Sequence, residues 1–125
     1  MKTVISAPNA PAAIGPYSHA IAAGDFLFTS GQIPLDPATG KLAGDTIEVQ
    51  AEQVLKKLEA VLAAHGMTFA NVIKTTVFLT DLADFATVNA IYATRFSNEP
   101  PARSCIQVAG LPGGSKIEIE LVAYK

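Results

Sequence analysis

An apolar stripe between residues 47 and 62 constrains this chain more than any other feature. Ile47, Ala51, Val54, Leu55, Leu58, Val61 and Leu62 recur at the spacing that lines one face of an α-helix. Asp45 is placed to cap the helix, with Glu48 completing a capping box. Gly66 stops it as a left-handed cap. A helix that is apolar on one side only must lay that side against a second layer. The β-branched segment "NVIKTTVFL" follows as a strand. Next comes a second helix, "TDLADFATVNAIYATRF", capped by Thr80 or Asp81 and ended by Pro100 and Pro101. Its inward stripe reads Leu82, Phe85, Val88, Tyr92 and Phe96.

The remaining segments supply strands and turns. "TVIS" reads as a first short strand, and "APNAPAAIGP" as a loop punctuated by proline. "YSHAIAAGDFLFTSG" gives two strands around Gly24-Asp25, and "QIPLDPATGKLAG" a long loop. "ARSCIQVA" and "KIEIELVAY" are the last strands, separated by "GLPGGS". The order β-β-β-α-β-α-β-β predicts an α+β fold, a mixed sheet with both helices on one face. The 125 residues fit one domain, 1–125. The uncovered sheet face then needs a partner. Composition adds to that argument, because only 16% of residues are charged, against about 25% typically. Burial against copies of the same chain explains this, and so does a surface rich in alanine.

Several classes are disfavoured. A single cysteine permits no internal disulfide. Pro8 and Pro11 interrupt any signal-peptide core, and no apolar run approaches the ~20 residues of a membrane span. A soluble cytoplasmic protein is expected. The net charge of -2 argues against a nucleic-acid partner.

The chemistry centres on Arg103, one of only two arginines, within a segment that otherwise reads as a strand. Arg103, Cys105 and Gln107 alternate with Ser104, Ile106 and Val108. In the last strand Lys116, Glu118 and Glu120 alternate with Ile117, Ile119, Leu121 and Ala123. One sheet face, or one end of it, is thus expected to collect an arginine and a glutamate. An arginine fork fixes a carboxylate in a plane, and a glutamate can move protons. Pairing of Arg103 with Glu118 or Glu120 would satisfy the same residues, and the pattern does not choose between these readings.

Cys105 reads as a small core residue rather than a nucleophile. His19 and His65, with no clustered cysteines, make no metal site, and His65 sits where a helix C-terminus welcomes a cation. "GLPGGSK" has the wrong order for a phosphate loop and reads as a turn. Ser30-Gly31 ends a strand with backbone N–H groups, Tyr17 opens one, and Asn89 falls on the apolar side of the second helix.

Taken together, "NAPAAIGPYSHAI", "TSGQIP", "VIKTTVFLTDLADFATVNAIY", "PPARSCIQVAGLP" and "KIEIELVA" resemble the RidA (YjgF) family of reactive intermediate deaminases along essentially the whole chain. The resemblance implies a chorismate-mutase-like fold whose last two strands need not be neighbours. It implies a homotrimer with active sites in the clefts between subunits. The implied reaction is hydrolysis of 2-iminobutanoate, 2-iminopropanoate and their enamines, such as 2-aminoacrylate, to 2-keto acids and ammonia. That protects pyridoxal-phosphate enzymes and needs no cofactor or metal. By position, the resemblance makes Arg103 the carboxylate binder and Glu118 the water-activating acid. Cys105 contributes its main chain, and Tyr17, Ser30, Gly31 and Asn89 contact substrate. His19 stands where many members have glutamine. A ribonuclease or translation inhibitor, and a non-catalytic trimer binding keto acids, are the competing readings. The acidic balance opposes the first of these, and turnover distinguishes the second.

Overall fold

The structure, a computed structural model, describes residues 1–7 and 15–125. Most of the loop expected over residues 7–16, with Pro8 and Pro11, lies outside the described residues. The elements follow the expected order: β1 Lys2–Ile5, β2 Ala20–Ala23, β3 Phe26–Thr29, α1 Ile47–Ala64, β4 Val72–Leu79, α2 Phe85–Tyr92, β5 Ala102–Gln107 and β6 Ile117–Tyr124. The hairpin β2–β3 turns at Gly24-Asp25, with Gly24 at φ 58°.

The α1 stripe is buried as its spacing requires; Val54, Leu58, Val61 and Leu62 are fully enclosed. The cap differs from expectation. Thr46, not Asp45, caps α1, its Oγ1 accepting from Val49 N at 3.2 Å, so the pairing of Asp45 with Glu48 is replaced. At the other end Gly66 adopts φ 69°, and Met67 N donates to Leu62 O at 2.9 Å, the bond of a Schellman stop.

The second helix is shorter than its pattern suggested. Asp81 caps a single 3₁₀ turn, Leu82–Asp84, before α2 begins. The 3₁₀ turn rotates the early residues away from the 3.6-residue repeat. Leu82, expected inside, is therefore exposed; Phe85, also expected inside, begins α2 in phase with Tyr92 and is exposed as well, whereas Val88, Tyr92 and Phe96 are buried.

Six strands form one sheet in the order β1-β2-β3-β6-β4-β5. β5 runs parallel to β4, and the other pairings are antiparallel. The last two strands are separated by β4. Leu27, Thr75, Val77, Leu79, Ile117, Ile119 and Leu121 are fully buried or nearly so, on the sheet face that meets both helices. The opposite face carries Val4, Phe26, Phe28, Ile106 and Tyr124, each between 40% and 58% exposed. Phe26 lies 5.0 Å from Tyr124 and 6.1 Å from Phe28 between ring centroids.

Candidate functional site

Two groups of side chains stand out, and they lie apart. The first surrounds a cleft of about 410 Å³ at the end of β3 and the start of β6. Tyr17, Ser30, Gly31 and Glu118 line it. Ile33, Pro112 and Gly113 line it as well. The sequence held no signal for those three beyond their turn-forming or apolar character. Larger hollows beside α1, such as one of about 530 Å³ at Glu48, Glu52 and Lys56, are lined by charged side chains of the helix with no convergent chemistry.

Backbone bonds fix the cleft wall. Ser30 N donates to His19 O at 2.9 Å, and Ser30 Oγ to Ser18 O at 2.6 Å. Gln32 and Ile119 exchange both backbone bonds, at 2.8 and 3.2 Å, and so clamp the Ser30-Gly31 segment onto β6 beside Glu118. Glu118 rests against Gly31 so closely that a β-carbon there would stand 2.6 Å from its Cδ. Burial, with the neighbouring Glu120 charge added, pushes the Glu118 carboxyl above its ordinary value. Such a group holds and releases a proton more readily near neutrality than a solvated glutamate. His19 does not line the cleft; its Nδ1 is buried without a hydrogen-bond partner among the described residues.

The second group gathers on β5, β4 and α2. The Arg103 Cζ lies 4.8 Å from the Tyr92 ring centroid and 5.5 Å from that of Phe85. Tyr92 Oη and Thr75 Oγ1 share a buried 2.7 Å hydrogen bond. Among the described residues the only ion pair joins Arg95 to Glu52, at 2.7 Å. Arg103 pairs with neither Glu118 nor Glu120, so the purely structural alternative is not what forms. Asn89 lies on α2 four residues after Phe85, half-buried, and outside the first cleft. Burial pushes the half-buried Cys105 thiol up, against the pull of Arg103, which suits a thiol and not a nucleophilic thiolate. Phe85 and Tyr92 were read from sequence only as core residues. No local pattern reveals that their ring faces meet an arginine more than ten residues later.

Of the expectation that one sheet face, or one end of it, collects Arg103 and Glu118, the shared face is corrected. Arg103 stands opposite Thr75, whose side chain is buried on the helix-covered face, whereas Glu118 stands opposite Phe78, which points the other way. Alternation within each strand is as expected. The face on which each alternation lands is set by register through β4, which no single strand encodes.

Comparison with known proteins places these residues in context. The family described as Endoribonuclease L-PSP matches residues 7–125. The mouse protein named 2-iminobutanoate/2-iminopropanoate deaminase is 50% identical over 125 residues, covering 100% of this chain and 93% of its own length. The crystal structure of a conserved Rid-family protein from Yersinia pestis superposes with a TM-score of 0.97 at 47% identity, covering 100% of both chains. The structure of TdcF from E. coli with bound serine gives a TM-score of 0.93 at 44% identity, covering 98% of each chain.

Proposed function

The chain belongs to the Endoribonuclease L-PSP family, and from that premise we infer that it is a hydrolase converting short 2-imino acids, such as 2-iminobutanoate and 2-iminopropanoate, into 2-oxo acids and ammonia. The observation that carries this reading is an arginine, Arg103, with no anionic partner among the described residues. A guanidinium held without a carboxylate of its own chain is ready to grip the carboxylate of a ligand in a fixed plane. A planar 2-imino acid places that carboxylate beside the electrophilic carbon. Gripping one therefore orients the other toward water. Glu118 takes a proton from the attacking water and delivers one to nitrogen. The C=N bond is thereby replaced by C=O, and ammonia leaves.

Arg103 and Glu118 must meet for this to work, and within one copy they face opposite ways. In our reading three copies associate, as in a chorismate-mutase-like assembly, so that the Arg103 side of one faces the Tyr17–Glu118 cleft of the next. The exposed apolar face of Val4, Phe26, Phe28, Ile106 and Tyr124 gives copies of this chain a surface to bury. An RNA-directed activity has no comparable support, with nine Lys and Arg against eleven Asp and Glu.

The test generates 2-iminobutanoate in situ from threonine with a dehydratase and follows 2-oxobutanoate release with and without this protein. Arg103→Ala removes a charge-assisted fork whose bonds each contribute about 1.5–3 kcal/mol, so kcat/KM should fall by about a hundredfold or more. Arg103→Lys should also be impaired, because a point charge does not reproduce the plane. Full activity of Arg103→Ala would overturn the assignment.

A further inference from the structure

We propose that Tyr92 is a positioning residue for Arg103: its buried ring, fixed by Thr75 and joined by Phe85, forms an aromatic shelf that holds the guanidinium in place and leaves its N–H fork free for a ligand carboxylate. This rests on the reading of Arg103 given above and adds how the cation is kept available.

A cation on an edge strand has two ways to be stabilised. It can pair with a carboxylate, which then competes with any anionic ligand, or it can lie over aromatic faces. The ring quadrupole attracts a cation without supplying a hydrogen-bond acceptor. Arg95 takes the first course, with Glu52 accepting from Nη1 at 2.8 Å. Arg103 takes the second, with two rings near its Cζ and no hydrogen bond or ion pair from its side chain among the described residues. The two rings lie two turns apart on one face of α2, Tyr92 buried and Phe85 exposed at 40%.

Tyr92 is itself held from the sheet. Thr75 is fully buried and stands directly opposite Arg103 in the β4–β5 register. Its hydroxyl bond to Tyr92 therefore ties the shelf to the very position that carries the arginine. Burial pushes the Tyr92 hydroxyl above the ordinary phenol range, outweighing the Thr75 bond and the Arg103 charge. The hydroxyl stays neutral, so it makes no phenolate pair with the guanidinium.

The experiment titrates the assembled protein with 2-oxobutanoate and, separately, with its uncharged amide, for wild type, Tyr92→Leu, Tyr92→Phe, Phe85→Leu and Arg103→Ala. Removing a cation–π contact should weaken 2-oxobutanoate binding by on the order of tenfold in Tyr92→Leu and several-fold in Phe85→Leu, while Tyr92→Phe, which keeps the ring, stays within about threefold. Affinity for the amide should not change. If Tyr92→Leu fails to assemble, Phe85→Leu decides, because its ring is exposed. Wild-type affinity in both leucine variants, with Arg103→Ala defective, would overturn the shelf and leave the Arg103 assignment standing. Equal losses for acid and amide would also overturn it, since the rings would then only shape the cleft. Wild-type affinity in Arg103→Ala would overturn both.

Discussion

Gly31 and Glu118 occupy one another's space, since a β-carbon on Gly31 would stand 2.6 Å from Glu118 Cδ. The obstructing atoms are the end of a side chain, so Gly31→Ala should fold and push the carboxylate aside. A displacement of about 1 Å in a reacting group costs about a hundredfold. We therefore expect kcat/KM to fall by about that factor with an unchanged circular dichroism spectrum; normal activity would show that the carboxylate position is not critical. At this scale the sequence displayed the chemical types that the proposed reaction uses. Arg103 and Glu118 were legible as an unusual cation and a proton-transfer group on alternating strands. The partners of Arg103 were not. Phe85 keeps the apolar repeat, in phase with Val88 and Tyr92, but a repeat does not say whether that end of the helix is covered, and Phe85 stays 40% exposed.

Elements show a second limit of periodicity. The α1 stripe was read correctly, yet three polar residues on the same helix also face inward. Gln50, Gln53 and Lys57 donate to the carbonyl oxygens of Gly44, Leu35 and Ile33 at 2.9, 2.9 and 2.8 Å. They sew the long loop to the helix, and through Ile33 they support the cleft wall. A hydrophobicity pattern assigns glutamine and lysine to solvent, because it cannot see buried carbonyls that need donors. Lys57 carries a testable consequence. Burial lowers its pKa from 10.5 to about 8. Asp36, Lys56 and Glu59 are the charged groups around the same hollow. Below pH 8 the folded state bears the full cost of a buried ammonium. Between about 8 and 10.5 the unfolded chain binds more protons than the folded one, so stability rises with pH across that window. The melting temperature of wild type should therefore gain on that of Lys57→Gln from pH 7 to 10. A constant difference would place the Lys57 pKa outside this window.

At the scale of the whole molecule, the faces of the sheet decide function. Arg103 and Glu118 point away from each other in one copy, so a site using both must be shared between copies. Inactive Arg103→Ala and Glu118→Gln chains, unfolded and refolded together, should then regain activity. If trimers assemble at random, about a quarter of the sites receive both native residues. No recovery would sink the shared site. Placing Phe28→Lys on the exposed apolar face should yield smaller species in sedimentation, with activity lost alongside. The sequence by itself determined which segments are helices and strands, and which residues of each share a side. Those facts follow from periods of 3.6 and 2.0 that any short stretch contains. Only the tertiary structure decided that β6 enters between β3 and β4, that β5 lies parallel on the far edge of β4, and hence which face each alternation presents. The physical reason is that strand pairing joins residues distant in sequence, and shifting a register by one residue sends every side chain to the other face.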